Sequence, residues 1–227
     1  MTLDIAPPPS DSTAKRARGR PRKTVDERDD GNRRQALLSS AARLFRRKGF
    51  DATTTRDIAA AVGMQSGSPF YHFKSKDALL YAVMEEGMRS ALARQHAAAQ
   101  AVAHAVLTPA ERLRVLVTAH FDVLLGPGSD FVPVMLYEGR SLAPRQHKAL
   151  GLLIAEYEVL WLPTLTALHD SGDLRAPVRL ARLLILGALN WSVQWYDPKK
   201  TASLQDLTDA AMALFLGPAV PADAPTH

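Results

Sequence analysis

The sequence predicts an all-α protein of about nine helices: an N-terminal three-helix unit followed by a larger C-terminal helical domain. Three observations carry that expectation. Apolar residues recur at helical spacing from Ala36 onward. Cap residues stand at the heads of most of these segments, and no segment alternates with period two between hairpin turns. The charge is also divided: residues 1–80 carry 16 Lys+Arg and 9 Asp+Glu, whereas residues 81–227 carry 12 and 14. A basic front implies a polyanionic partner there, and a near-neutral rear implies a different task.

Residues 1–31 are rich in Pro, Ser, Arg and Asp without apolar period, and read as a disordered basic arm. Within it Arg18-Gly19-Arg20-Pro21 resembles an AT-hook, so Arg18 and Arg20 are candidates for a narrow A·T-rich minor groove. Asn32 and Gln35 have capping-box spacing and predict the start of the first helix. Ala36, Leu37, Ser40, Ala41, Leu44 and Phe45 form its buried stripe, and Gly49 ends it. Thr54 and Asp57 predict a second, short helix closed by Gly63. Ser66 to Phe73 reads as a third, with Pro69 tolerated in its first turn. Ser75 opens a long fourth helix.

Beyond residue 80, Thr108-Pro109-Ala110-Glu111 predicts a helix running to about Gly126. A short helix is expected over 130–138, a long one from Pro144 to near Gly172, and an apolar one from Pro177 to near Pro198. Ser203 and Asp206 cap a last helix that Gly217-Pro218 closes. The expected boundaries are therefore 32–78 for the small domain, 79–217 for the large one and 218–227 for a flexible tail.

A second helix of two turns and a tight glycine turn, presenting a third helix, is the geometry that enters a DNA major groove. Gln65, Ser66, Gly67 and Ser68 are small or polar, which permits close approach to bases; Gln65 can bond an adenine edge. Phe70, Tyr71, His72 and Lys76, with Thr54, Thr55 and Arg56 at the second helix, are candidates for the rest of the contact, mainly to phosphates.

The residues Leu44-Phe45, Gly49-Phe50, Thr54 to Ala59, Val62-Gly63, Gly67-Ser68, Tyr71-His72-Phe73 and Lys74 to Asp77 resemble the DNA-binding motif of TetR-type repressors over residues 32–81. Phe70 stands where that family often has tyrosine, Gln65 at its usual serine cap and Pro69 at a leucine position. The resemblance implies a homodimer formed by the last two helices, double-stranded operator DNA as partner and a small-molecule effector in the rear domain.

That rear domain is similar, more loosely, to members responding to acyl-coenzyme A thioesters. Asn190-Trp191 followed by Trp195-Tyr196, with a last helix ending Leu214-Phe215-Leu216, carries the similarity. It implies an effector site drawing on Arg140, Tyr157, Trp161, Asn190, Trp191 and Gln194. Trp191 and Trp195, four apart on one helix face, better suit the core of a dimer interface, and Arg140 and Arg145 better suit the surface than a phosphate site.

Cysteine is absent, which excludes disulfides, thiolate metal sites and cysteine nucleophiles. The histidines are scattered, and none has zinc-helix spacing. Glu156 and Glu158 point apart on a helix, and no Gly-rich phosphate loop or nucleophile elbow is present. No catalytic residue, metal or resident cofactor is assigned. Without an apolar leader or a spanning segment, the expectation is a cytoplasmic, ligand-responsive regulator with no membrane role.

A competing reading is an architectural A·T-groove protein that uses the arm, the rear domain only dimerising. Deleting residues 1–24 separates the two. A regulator keeps operator selection with weaker affinity and a shallower salt slope, whereas an architectural protein loses all binding.

Overall fold

The computed structural model describes residues 25–64, 69–200 and 202–217. Among these residues the chain is all helical: α1 (Val25–Lys48), α2 (Thr55–Ala61), α3 (Pro69–His72), α4 (Lys76–His104), α5 (Pro109–Leu125), α6 (Phe131–Glu138), α7 (Pro144–Val159), α8 (Leu162–Asp170), α9 (Val178–Trp191) and α10 (Leu204–Leu216). Short 3-10 turns follow α6 and α9.

Local chemistry sets most of the starts. Thr54, Thr108 and Ser203 each accept from the backbone N–H three residues on, while the acid at that position accepts from the cap's own N–H. Those backbone N–H groups, with the cap hydroxyls, hold the Asp57, Glu111 and Asp206 carboxyls below the usual carboxylate range. Gly49 and Gly63 stop α1 and α2 at φ of +81° and +67°, a conformation side chains resist.

Four boundaries depart from the sequence reading. The first helix begins at Val25, so residues 25–31 are helix rather than arm and Asn32 is not its cap. An acidic sequence at a helix start is favoured by the helix dipole, and Gly31 costs only about 1 kcal/mol inside it. The segment expected as one helix from Pro144 to Gly172 is two, α7 and α8, with a turn at Leu160–Trp161. Pro163 explains the break: its ring clashes with the carbonyl four residues earlier and it lacks an N–H. Helix α9 ends at Trp191, seven residues before Pro198, because residues 192–194 tighten into a 3-10 turn and the Ser192 hydroxyl donates to Leu189 O at 2.6 Å. The third element ends at His72 rather than Phe73, and its expected start at Ser66 lies outside the described residues. The count among the described residues is therefore ten α-helices rather than nine.

Residues 144–170 are long and apolar enough by composition to cross a membrane. The break at Leu160–Trp161 interrupts that run, and Leu150, Tyr157, Trp161, Leu165 and Leu168 turn into the core instead.

One continuous core joins the two halves. Leu37, Leu38, Ala41 and Phe45 of α1 meet Leu80, Val83 and Met84 of α4, and α4 continues against α5, α6 and α7. Helices α4 and α6 approach so closely that a Cβ on Gly87 would stand 2.8 Å from Phe131 Cβ. Helix α6 is thus seated directly on α4 while its other side rests on α1.

Candidate functional site

The small domain places α2 and α3 across the Val62–Met64 turn. Val62, Gly63 and Met64 donate back to Ala59 and Ala60 carbonyls at 2.9–3.2 Å, closing it. Ile58 and Ala59 are buried, whereas Arg56 and Tyr71 face outward, Tyr71 at 84% exposure. Tyr71 and His72 pack edge to face, ring centroids 5.3 Å apart. Arg18, Arg20, Gln65, Ser66, Gly67 and Ser68 lie outside the described residues, and of Phe70 only the backbone is described.

Two of the expected contact residues have internal work. Thr54 caps α2. Lys76 does not extend outward: its Nζ donates to Phe50 O at 2.9 Å and Thr53 O at 3.1 Å, and sits 4.2 Å from the Phe50 ring centroid. Lys76, read from the sequence as able to reach phosphates, here ties α4 to the α1–α2 turn.

The same turn is held from a third direction. Glu138, at the end of α6, accepts from Phe50 N at 2.9 Å. At the other end of α6, Asp130 pairs with Arg46 of α1 at 3.1 Å. Phe50 thus has its N–H on α6 and its carbonyl on α4, through charge-assisted bonds.

The rear domain contains a cavity of about 60 Å³ between α4, α5, α6, α7 and α9. Met88, Ala91, Val132, Met135, Ile154 and Leu186 make its apolar wall, and His120, Tyr157, Glu158 and Asn190 its polar one. His120 Nδ1 is 2.6 Å from Tyr157 OH, which donates to Gln95 Oε1 at 3.2 Å; His120 Nε2 is 3.2 Å from Asn190 Oδ1. Glu158 is paired with Arg182 at 3.2 Å.

Of the six expected effector residues, the structure brings Tyr157 and Asn190 to this cavity. Trp161 is fully buried one layer behind, its ring edge-on to His120 at 5.7 Å. Arg140, Trp191 and Gln194 are exposed and do not line it. Arg140 lies in the 3-10 turn after α6, and the early end of α9 puts Gln194 outside the helix that carries Asn190. Trp191 and Trp195 no longer share one regular helix face, and are 64% and 54% exposed.

Sequence reading missed His120 and Gln95. A signal existed for both: His120 continues the buried Leu113, Leu116, Val117 stripe of α5, and Gln95 continues Met84, Met88 and Ala91 on α4. A polar residue on a buried stripe demands a partner. Burial pushes His120 down to about 4 from its ordinary 6.5, and pushes the Tyr157 phenol up.

Comparison with known proteins gives a consistent picture. A family model described as bacterial regulatory proteins, tetR family, matches residues 37–83, and one described as a tetracyclin repressor-like C-terminal domain matches residues 106–218. The HTH-type transcriptional repressor KstR2 of Mycolicibacterium smegmatis is 30% identical over 191 residues, covering 82% of this chain and 90% of that protein. Among solved structures, the superantigen PfiT is 37% identical with a TM-score of 0.65, covering 81% of this chain and 95% of its own. AibR, solved with isovaleryl coenzyme A and operator DNA, is 23% identical with a TM-score of 0.73, covering 82% and 99%; that likeness is one of fold.

The burial of His120 fixes a pH response. The unfolded chain protonates this imidazole near 6.5 and the folded one near 4, so between those values the unfolded state binds more protons. Stability is fully present above about pH 6.5 and falls on acidification at up to about 1.4 kcal/mol per pH unit. Denaturant unfolding of the full chain at pH 7 and pH 5 reads this slope. His120→Gln is expected to flatten it, and an equal slope in the variant would contradict the assignment.

Proposed function

The chain belongs to the tetR family of bacterial regulatory proteins, and we propose that it is a homodimeric repressor that a small molecule releases from a palindromic operator. The observation that carries this reading is α6. Its middle, Val132 and Met135, lines the cavity, while its ends, Asp130 and Glu138, hold α1 and the turn that leads into α2. At about 60 Å³ the cavity is smaller than the roughly 300 Å³ and upward of ordinary ligand pockets. An effector therefore favours a conformation in which α6 or its neighbours have moved. Differential affinity of that kind is what release of DNA requires.

DNA contact falls to Arg56, Phe70, Tyr71 and His72 with the 65–68 segment, supported by phosphate contacts from Thr54, Thr55 and the arginines of the arm. The dimer reading is supported by α9, where Leu180, Leu183, Leu184, Gly187, Ala188 and Trp191 form an outward apolar face about three turns long. Such a face in two copies, with the neighbouring α10, gives a four-helix seam that sets the spacing of two recognition helices.

For the effector, an acyl-coenzyme A thioester is supported by the apolar wall of the cavity and by the ligand named for the AibR complex. Arg140 gives no support, being exposed away from the cavity. The protein acts where operator DNA is, in the cytoplasm.

Fluorescence anisotropy of a labelled duplex from the gene's own upstream region tests the reading. Saturable binding at fixed salt is expected, reversed by palmitoyl-coenzyme A and not by free coenzyme A. Binding that no thioester alters would remove the acyl-coenzyme A assignment, and absence of sequence-selective binding would contradict the repressor. Glu138→Ala is expected to keep DNA binding and lower the thioester effect by roughly tenfold, the size of an ordinary coupling energy.

A further inference from the structure

We propose that the cavity selects, in the part of the ligand it encloses, an uncharged, largely apolar group carrying a hydroxyl or N–H, whose proton Asn190 Oδ1 accepts. The inference rests on the reading of this cavity as the effector site, and deepens it by naming the polar group the site recognises.

The argument is a hydrogen-bond chain read from its backbone end, where the Gln95 amide is anchored. It starts at the backbone: Gln95 Nε2 donates to Leu116 O at 3.3 Å. A carbonyl cannot donate, so this contact orients the Gln95 amide and leaves Oε1 to accept. Oε1 receives the Tyr157 proton at 3.2 Å. Burial pushes that phenol's pKa upward, so the proton stays on it. Having given its only proton, the Tyr157 oxygen must accept from His120 Nδ1–H, at 2.6 Å. His120 is fully buried and neutral, so it carries one ring proton and Nε2 carries a lone pair.

The consequence falls on Asn190. Its Oδ1 stands 3.2 Å from Nε2, lone pair against lone pair. The two ends of an amide exchange by a half-turn, and the network decides between them. Turning the amide lets Nδ2 donate to Nε2 and delivers Oδ1 to the cavity that Asn190 lines. There the oxygen has no other hydrogen-bond partner among the described residues. An acceptor held in an apolar pocket rewards a donor and penalises a group that can only accept. Glu158 is the charged residue among those lining the cavity, and it is paired with Arg182 behind it, so the lining itself offers no cation to an anion. For an acyl thioester, the donor belongs on the acyl part, so a hydroxyacyl chain is expected to act at lower concentration than the plain palmitoyl chain. Gln95, Tyr157 and His120 act as positioning residues, and Asn190 makes the contact.

The test uses the full chain with ¹⁵N-labelled histidine rings. His120 is recognised as the ring whose signals stay fixed between about pH 5 and pH 8. The Nδ1–H tautomer is expected, and the Nε2–H tautomer would overturn the chain. The same signals then follow titration with phenol and with anisole, its methyl ether, which can only accept. Phenol is expected to bind roughly tenfold more tightly, as one neutral hydrogen bond provides. Asn190→Leu is expected to erase the difference. Tyr157→Phe, which frees the tautomer without touching Asn190, is expected to erase or invert it while phenol still binds. Equal binding of both probes to the unaltered chain overturns this inference and leaves the cavity reading standing; no response to either probe at saturation overturns both.

Discussion

The structure turns on the short segment from Gly49 to Thr53. It follows a left-handed glycine and leads into the helix pair that meets DNA, so it has little regular structure to fix it. Three elements grip it instead. Lys76 at the start of α4 takes its carbonyls, Glu138 at the end of α6 takes the Phe50 N–H, and Thr53 donates back to Gly49 O at 2.8 Å. Bonds with a charged partner contribute about 1.5–3 kcal/mol each, more than ordinary backbone pairs. The turn therefore follows α4 and α6 wherever they go.

Both of those helices also wall the cavity. Met88 and Ala91 lie on α4, Val132 and Met135 on α6, and at Gly87 the two helices touch with no room for a side chain. A change in what the cavity holds thus reaches the DNA-binding unit through two rigid helices ending on one turn. No long chain of side chains is needed, and the bistable element is the seating of α6 between α1 and α4.

The small domain was legible because its signals are local. Thr54 with Asp57, the stripe from Ala36 to Phe45, and glycines at 49 and 63 each act within one turn of helix, and the sequence states them directly. The cavity was only half legible. Tyr157 and Asn190 were found through resemblance. His120 and Gln95 were not, because their meaning depends on a partner 37 and 62 residues away in the chain. Glu138 drew no assignment from the sequence, since nothing adjacent to it hints at Phe50. Arg140 and Gln194 do not line this cavity for a different reason: both fall in 3-10 turns, where helical spacing no longer says which way a side chain faces. The break before α8 is written in Pro163, whose ring and missing N–H stop α7 from continuing.

The central claim is that cavity and DNA-binding unit move together in a dimer. Because the chain has no cysteine, a single introduced one, Ala61→Cys at the exposed end of α2, can carry a spin label in each protomer. Double electron–electron resonance then measures the separation of the two DNA-binding units. The account predicts one narrow distance on the operator duplex, and a longer or broader one when palmitoyl-coenzyme A or phenol occupies the cavity. A distance that is the same with the cavity empty and filled, or no inter-protomer signal at all, would contradict it.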